Sequence, residues 1–206
     1  RFKIYTSSIN FFHSCLFYIS KWNSRYNFTN KHKLMKLKIY SYKGVKSTND
    51  TAIRLIKQNI KQGIVTSDIQ TNGKGQRGKK WVSRRGNLFI SIFFPISESL
   101  NLKKITFSNL KIIKNILKNI VPYKINIKLP NDLKIMNKKV CGILQEIIYY
   151  NEIKFLIIGV GINIKSSPTI KEYETTYINK YNNKINKSKI INFIKNNFEK
   201  KYSYYA

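Results

Sequence analysis

Two long apolar segments on either side of the dipeptide Asn151-Glu152 constrain the fold of this chain most strongly. Residues 140–150 (VCGILQEIIYY) and 153–164 (IKFLIIGVGINI) are apolar almost without interruption. Runs of this kind are typical of strands in the centre of a sheet. A short polar connection between two such runs indicates a hairpin. We therefore predict two adjacent central strands, around which the other elements must be arranged.

Further strands and helices are predicted along the rest of the chain. Alternating or apolar runs predict strands at 37–42, 63–68, 87–94 (ended by Pro95) and 125–130. Ser47 and Asp50 have the spacing of a capping box, and the helix that follows would carry Ala52, Ile53, Ile56 and Ile60 on one face. Two more helices are expected at 103–120 and at roughly 188–204. Because helices lie between and after strands without strict alternation, the expected fold class is α+β, a mixed β-sheet backed by helices.

Residues 1–34 differ in composition from the rest of the chain. They contain six basic residues and no acidic residue. Their apolar run at 11–19 is shorter than the about 20 residues that span a membrane, and no small-residue cleavage site follows it. We therefore predict an N-terminal extension outside the fold at 1–34 and one domain at 35–206. No helix-turn-helix pattern is present, so we expect no DNA-binding domain and no membrane segment.

The basic charge of the chain is carried mainly by lysine. Thirty-nine basic residues against nine acidic ones give a net charge of +30, yet only six of the basic residues are arginine. Arginine forks onto phosphates and base edges, whereas lysine is a point charge. This favours a solvated basic surface, and a nucleic-acid-binding protein stays as the alternative. Three arginines, Arg77, Arg84 and Arg85, are concentrated in or just after a glycine-rich stretch.

The distribution of histidine and cysteine excludes several kinds of catalytic site. Both histidines, His13 and His32, lie in the first 34 residues. The main body therefore has no Ser-His-Asp triad, no Cys-His pair and no histidine-ligated zinc. Two cysteines, Cys15 and Cys141, form no disulfide framework, so a reducing and hence cytoplasmic location is the default.

Five short polar or glycine-rich motifs interrupt the predicted strands at their ends. They read STND (47–50), QTNGKGQRGKKW (70–81), KLPND (128–132), KKVCGILQE (138–146) and GVGIN (159–163). Strand ends cluster around the ligand site in open sheets. Each motif alone is weak, because a lone GVGIN is usually a strand-end bulge and a lone PND a turn.

In this order and spacing, the five motifs resemble those of the biotin–protein ligases, from about Met35 to the end of the chain. The resemblance implies the biotin/lipoate ligase catalytic-domain fold, related to class II synthetases, of the monofunctional type. It also implies that biotin and ATP are joined as biotinyl-5′-AMP before the biotinyl group is transferred to a lysine. The implied partner is the biotin carboxyl carrier domain of acetyl-CoA carboxylase. Mg²⁺ is implied by the ATP chemistry without a visible protein cage, and a homodimer is compatible with the resemblance.

The loop 70–81 is interpreted as a mobile cradle for anions. A carboxylate and a triphosphate repel each other, so the reaction needs cations and aimed N–H groups. Glycines allow close backbone approach. The residues predicted to bind ATP or the adenylate are Lys74, Gly75, Gln76, Arg77, Gly78, Lys79, Trp81, Lys128, Asn131 and Asn163. For Trp81 the alternatives are contact with adenine, closure of the loop and an ordinary core anchor.

The remaining site residues follow from the resemblance. Lys139 would reach both the biotin carboxylate and the α-phosphate, with a surface lysine as the alternative. Asp132 would orient Lys139 or help to deprotonate the incoming amine, with a turn cap as the alternative. Those two and Lys74 are the predicted catalytic residues. The predicted biotin-binding residues are Ser47, Thr48, Asn49, Gln70, Gly73, Lys74, Lys139 and Gly142, and Ser47 is also a plain helix cap.

Three departures from the family pattern accompany this resemblance. Lys74 and Gln76 stand where arginine is usual, so we expect looser retention of the adenylate. Leu129 replaces a usual tryptophan, which we interpret as a packing change. The small β-barrel domain that commonly follows in this family is not in the sequence, which is therefore either a minimal ligase or truncated. A lipoate or octanoyl transferase is the nearest alternative, although Cys141 is expected to belong to the core.

Overall fold

A seven-stranded mixed sheet forms the centre of the fold. In the computed structural model, which describes residues 35–97 and 101–203, the strand order is β1-β2-β3-β7-β6-β5-β4. The strands are β1 Ile39–Tyr42, β2 Gly63–Ser67, β3 Leu88–Pro95, β4 Ile125–Lys128, β5 Asp132–Ile135, β6 Lys138–Tyr150 and β7 Ile153–Ile162. The helices are α1 Thr48–Lys57, α2 Leu102–Lys118 and α3 Lys187–Tyr202. The N-terminal extension predicted at 1–34 lies outside the described residues.

The pairing of the strands makes the sheet mixed, as predicted. β1 and β2 are parallel and are joined through α1. All other neighbours are antiparallel, and β6 and β7 form the long hairpin across Asn151 and Glu152. Both turn residues have positive φ angles, 47° and 62°. In the strand order, the hairpin lies inside the sheet, with β7 next to β3 and β6 next to β5.

Two local predictions were wrong. The strand predicted at 125–130 ends at Lys128, and Asp132, the last residue of the PND that is usually a turn, already begins β5, which was not predicted. Helix α1 ends at Lys57, before Ile60, because Asn59 adopts a left-handed conformation with φ 64°. The start of α1 is as expected, since the Ser47 hydroxyl oxygen accepts a hydrogen bond from the backbone N–H of Asp50.

The two faces of the sheet bury different hydrophobic cores. The larger core lies under α2 and α3 and includes Leu110, Ile194 and Phe198. On the opposite face, α1 covers a smaller core that includes Ala52 and Phe93. Successive side chains along each central strand point alternately into the larger and the smaller core, because side chains alternate between the two faces of a sheet. The smaller core leaves part of its face uncovered by a helix, and that part carries the candidate site.

One asparagine ties β3 to the segment that follows β7. The buried side-chain oxygen of Asn87 accepts hydrogen bonds from the backbone N–H groups of Ile164, Lys165 and Ser166, at 2.9, 2.9 and 3.2 Å. Its Nδ2 donates to the carbonyl oxygen of Ser166 at 2.8 Å. Four hydrogen bonds from one side chain thus fix the direction in which the chain leaves the sheet.

Within residues 35–97 and 101–203, every helix falls short of the length and apolarity needed to cross a bilayer.

Candidate active site

A cavity of about 330 Å³ opens on the face of the sheet that α1 only partly covers. It is bounded by the start of α1, the loop 70–81, the turn between β4 and β5, and the glycine-containing parts of β6 and β7. Its lining includes six cations and one carboxylate, namely Lys74, Arg77, Lys79, Lys80, Lys128, Lys139 and Asp132. A cavity with this charge suits an anionic ligand.

Three glycines form the floor of the cavity. Gly142 of β6 and Gly161 of β7 lie directly opposite each other in the sheet, and Gly159 is two residues before Gly161. A Cβ atom at Gly161 would lie 2.5 Å from Cε2 of Trp81, and one at Gly142 would lie 2.8 Å from its Cζ3. A Cβ atom at Gly159 would lie 2.5 Å from the side-chain oxygen of Asn49. The floor therefore has room for the side chains above it only because these positions lack Cβ atoms.

A wall of hydroxyl and amide groups closes one end of the cavity. Ser47, Thr48 and Asn49 are 2–4% exposed, and all three line the cavity together with Gln70. The backbone N–H of Thr48 donates to the side-chain oxygen of Gln70 at 2.8 Å, which fixes the orientation of that amide. Because these polar groups are almost completely buried, few of their hydrogen bonds can be made with solvent, and a ligand that makes them is favoured.

The loop 70–81 is folded into a compact turn above the cavity. The backbone N–H of Gly75 donates to the carbonyl oxygen of Lys79 at 2.7 Å, and that of Trp81 donates to Gly73 at 2.9 Å. A Cβ atom at Gly73 would lie 2.5 Å from the carbonyl oxygen of Trp81. Arg77 and Gly78 have φ angles of 55° and 73°, which glycine adopts readily. The backbone of the loop thus approaches itself closely at Gly73, and the hydrogen bond between Trp81 and Gly73 joins its two ends.

Lys74 is held by a carboxylate of α1. Its ammonium group forms an ion pair with the carboxylate of Asp50, and the side chains of both residues are about two-fifths exposed. The hydrogen bond to Asp50 raises the pKa of Lys74, and the charge of Glu146 contributes in the same direction. The pair links the loop to the helix that carries the polar wall.

Lys139 lies inside the cavity and not in solvent. Its side chain is 13% exposed, and Nζ lies 2.8 Å from Oδ1 of Asp132. The same ammonium lies 5.4 Å from the ring centroid of Trp81 and 5.1 Å from that of Tyr173. An ammonium between two aromatic rings and a carboxylate is fixed in position, with its charge directed at the cavity.

The segment after β7 is attached to Lys139 through the main chain. The backbone N–H of Lys139 donates to Glu174 at 2.9 Å, and its carbonyl oxygen accepts from Thr176 at 2.8 Å. These bonds place Tyr173 over the ammonium. Nothing in the composition or periodicity of residues 165–177 indicated this contact.

The structure brings most of the predicted site residues together. Those that line the cavity are Ser47, Thr48, Asn49, Gln70, Lys74, Gly75, Gln76, Arg77, Lys79, Trp81, Lys128, Asn131, Asp132, Lys139 and Gly142. Gly73, Gly78 and Asn163 do not line it. Asn163 is 2% exposed and donates to the carbonyl oxygen of Thr176 at 3.0 Å, so it supports the segment beside the cavity. The assigned roles of all these residues stay predictions.

Two further expectations concern side chains near the cavity. Leu129 lies at its rim and is 65% exposed, so the replacement of tryptophan there is not a change in core packing. The indole of Trp81 lies on the glycine floor and lines the cavity, outside both hydrophobic cores, and its Nε1 has no hydrogen-bond partner within the described part of the chain. Its role stays a prediction.

Cys141 is excluded as a nucleophile. It is fully buried in the larger core, on the side of the sheet away from the cavity. Burial raises the pKa of its thiol far above the usual range, so the reactive thiolate is not formed.

Metal ligation by the protein has no support in the described ranges 35–97 and 101–203. No group of three or more histidine, cysteine, aspartate or glutamate side chains there is arranged to hold an ion.

Comparison with known proteins identifies the family of the chain. Residues 42–163 match the model of the biotin/lipoate A/B protein ligase family. The chain is 28% identical over 194 residues to the bifunctional ligase/repressor BirA of Bacillus subtilis, covering 88% of this chain and 59% of that protein. It is 30% identical over 172 residues to BirA of Bacillus spizizenii, covering 78% and 52%. The chain thus spans between half and three-fifths of these curated relatives.

A solved structure of the same fold carries ligands. The biotin protein ligase from Aquifex aeolicus in complex with biotin and ATP superposes with a TM-score of 0.68 and 26% identity, covering 81% of this chain and 72% of that one. The predicted fold class is therefore confirmed. The match to the family model extends from the end of β1 to the end of the glycine floor and includes the polar wall, the loop and Lys139, so the chain belongs to the biotin/lipoate A/B protein ligase family.

Proposed function

We propose that this chain joins biotin to ATP as biotinyl-5′-AMP and transfers the biotinyl group to a lysine of a biotin carboxyl carrier domain. One observation carries the proposal: a single cavity has a buried wall of neutral hydroxyls and amides at one end and cations elsewhere, with Lys139 inside. Biotin has the complementary parts, a neutral urea ring and a carboxylate. The relative from Aquifex aeolicus was solved with biotin and ATP.

The first step needs two anions to meet. An oxygen of the biotin carboxylate attacks the α-phosphorus of ATP, the bond to the β-phosphate oxygen breaks, and pyrophosphate leaves. Lys139 would stabilise the charge that develops between the two groups, and the loop cations would hold the phosphates. Asp132, at 2.8 Å, would keep the ammonium in place.

The second step consumes the mixed anhydride. A neutral lysine amine of the acceptor attacks the carbonyl carbon, an amide forms, and AMP leaves. The amine must lose a proton, and we assign its removal to Asp132, the carboxylate in the lining of the cavity. The proposed partner is the biotin carboxyl carrier domain of acetyl-CoA carboxylase, which the resemblance to biotin–protein ligases implies.

Magnesium enters this reaction as the counter-ion of ATP. Mg²⁺ prefers oxygen ligands in octahedral geometry and commonly keeps phosphates and waters around it. The cavity has one carboxylate, which is paired with Lys139, and this donor set does not fit a protein-held ion. We therefore assign no step to a metal bound by the chain.

The lipoate and octanoyl alternatives are less favoured by the site. An octanoyl thioester would require an ionised thiol, and Cys141 is buried away from the cavity. The dithiolane ring of lipoate has no N–H or carbonyl group to offer the polar wall. The nucleic-acid alternative predicts binding that weakens steeply with salt.

The direct test is the mass of the product formed from an acceptor domain, ATP and either biotin, lipoate or an octanoyl donor. We expect only the biotinyl product, together with a melting temperature raised by biotin plus ATP at constant salt. Lys139→Met should lower the rate of adenylate formation by about 10²–10³-fold, the cost of removing one group that stabilises developing charge.

Lys138→Met is the matched control. Lys138 precedes Lys139 in β6 but is 37% exposed and paired with Glu174. Equal losses in the two variants, or a lipoyl product, would contradict the proposal.

A further inference from the structure

One apolar residue at the cavity has no part in the two chemical steps. Leu129 lies in the turn between β4 and β5, lines the cavity at its rim and is 65% exposed. Single exposed leucines on a protein surface are ordinary. Among the large hydrophobic residues that are exposed in residues 35–97 and 101–203, however, Leu129 has the highest exposure and is the one that lines the cavity. Its place at the mouth of the cavity is therefore what requires a reason.

The turn that carries Leu129 has a fixed backbone. Nδ2 of Asn131 donates to the carbonyl oxygen of Ile143 at 2.9 Å, and the backbone N–H of Ile143 donates to the carbonyl oxygen of Asn131 at 2.9 Å. Pro130 adds a φ angle that its ring restricts. Because the backbone is already ordered, little conformational entropy is lost when a partner covers the leucine side chain.

The second step of the proposed reaction brings the acceptor to this rim. The target lysine has a stem of only four carbons, so its backbone must lie close to the mouth while its amine is inside the cavity. Asp132, to which we assign removal of the amine proton, lines the cavity and follows Leu129 by three positions. The residues that flank the target lysine must therefore contact the rim, and Leu129 is the exposed apolar part of that rim.

The charge at the mouth of the cavity changes between the two steps. Six cations and one carboxylate line the cavity, and the cations at Lys74, Lys79, Lys80 and Lys128 are exposed. When pyrophosphate leaves, most of the negative charge of the bound substrates leaves with it. The biotin carboxylate is consumed in the anhydride, so the adenylate retains only the charge of its phosphate. The mouth is therefore electropositive when the acceptor arrives, which favours a partner with an acidic surface.

We propose that Leu129 is a docking residue for the acceptor domain. Its side chain covers an apolar group beside the target lysine, and the cations around the mouth face acidic residues of the same domain. The inference rests on the proposed function and assigns the surface that recognises the acceptor in the second step. Burial of the leucine contributes to affinity, whereas the surrounding charges steer the encounter and its orientation.

The test separates docking from chemistry in a single turnover. The adenylate is formed on the chain from biotin and ATP and is then discharged by one of two acceptors. One acceptor is the biotin carboxyl carrier domain of acetyl-CoA carboxylase, and the other is Nα-acetyl-lysine amide, which has the target amine but no flanking residues. Leu129→Ser should lower the second-order rate constant for the carrier domain by about 5- to 30-fold, the effect of losing one leucine side chain from an interface. The rate constant for the lysine amide and the rate of adenylate formation should be unchanged.

Two variants accompany Leu129→Ser. Leu129→Met keeps an apolar side chain of similar volume and should restore most of the rate constant for the carrier domain. Met136→Ser is the matched control, because Met136 is 61% exposed in the turn between β5 and β6 and does not line the cavity. It should leave both rate constants unchanged. Added salt should slow discharge by the carrier domain in all variants, since it screens the charges around the mouth.

The outcomes distinguish this inference from the proposed function. An unchanged rate constant for the carrier domain in Leu129→Ser, an equal loss with both acceptors, or an equal loss in Met136→Ser would overturn the inference and leave the proposed function intact. Self-association of the wild-type chain that Leu129→Ser abolishes would also overturn it, because the leucine would then contact a second copy. A wild-type chain that forms no biotinyl-5′-AMP would overturn the proposed function itself.

Discussion

Replacement of Gly161 by alanine probes the contact on which the shape of the cavity depends. The added Cβ atom would lie 2.5 Å from Cε2 of Trp81, 2.6 Å from Cζ2 and 2.9 Å from Nε1. All three atoms belong to a rigid ring, so the clash is not relieved by a small rotation of a flexible chain. The indole must move off the floor, and the end of the loop 70–81 must move with it.

The expected magnitude combines two opposing effects. Overpacking of a well-packed site costs about 1–3 kcal/mol of unfolding free energy. Alanine in place of glycine in a strand regains about 0.5–1 kcal/mol, because less backbone entropy is lost on folding. The net cost of Gly161→Ala is therefore about 0–2.5 kcal/mol of unfolding free energy. For a chain of this size the melting temperature should fall by up to about 10 °C.

The decisive measurement repeats the substitution in a Trp81→Ala background. Without the ring the clash disappears and only the backbone gain remains, so Gly161→Ala should become neutral or stabilising. Urea unfolding gives both free energies. Gly44→Ala is the control, because its nearest neighbour would be Ile69 Cγ2 at 3.4 Å, an ordinary contact.

The fluorescence of Trp81 reports the displacement directly. Trp22 is the second of the two tryptophans in the chain and is replaced by phenylalanine for this measurement. A red shift of the emission is expected when the indole leaves the floor. An equal cost of Gly161→Ala with and without Trp81, or an unshifted spectrum, would refute the reasoning.

Three further outcomes follow from contacts elsewhere in the fold. Asn87→Ala leaves three consecutive backbone N–H groups without their acceptor and should reduce the free energy of unfolding by about 2–4 kcal/mol in urea titrations. In a Cys15→Ser background, iodoacetamide should modify Cys141 only after unfolding, since burial raises the pKa of its thiol; modification of the native chain would contradict this. The hydrogen bond from Lys187 lowers the pKa of Asp68 from 3.8, so this pair stabilises the fold above that pH, and the contribution is lost as the pH falls through the lowered pKa. Because Asp68 is half exposed, Asp68→Asn should reduce the free energy of unfolding by at most about 1 kcal/mol near pH 7 and have no effect at strongly acidic pH. Thermal unfolding at several pH values measures both.

Much of the fold was predictable because its strongest elements have unambiguous patterns. The β6–β7 hairpin has continuous apolar runs, and α1 has both a cap and an apolar face. Strand β5 was missed because it has only four residues and begins inside a motif interpreted as a turn. Its place in the sheet is determined by pairing with β4 and β6, which is a long-range property that local pattern does not contain.

The candidate site was predictable to the extent that motifs carried it. Lys139 could be placed by the glycine-containing motif around it, and the structure indeed brings it to the loop and the polar wall. Tyr173 could not be found, because its segment has no periodicity and reaches the site through main-chain bonds. Ser91 is a buried serine within the apolar strand β3, and its hydroxyl oxygen lies 2.8 Å from that of Thr48 in the polar wall. A serine within an apolar run is a signal that the prediction did not use.

The main-chain attachment of Lys139 has a consequence for how this region tolerates change. Because the two bonds join peptide groups, neither of them depends on the identity of the side chains at Glu174 and Thr176. Proline at position 176 would remove one bond and leave the other, from the N–H of Lys139 to the carbonyl oxygen of Glu174. The path of this segment beside Lys139 is therefore encoded mainly in its backbone, whereas its contact with the ammonium depends on the ring of Tyr173.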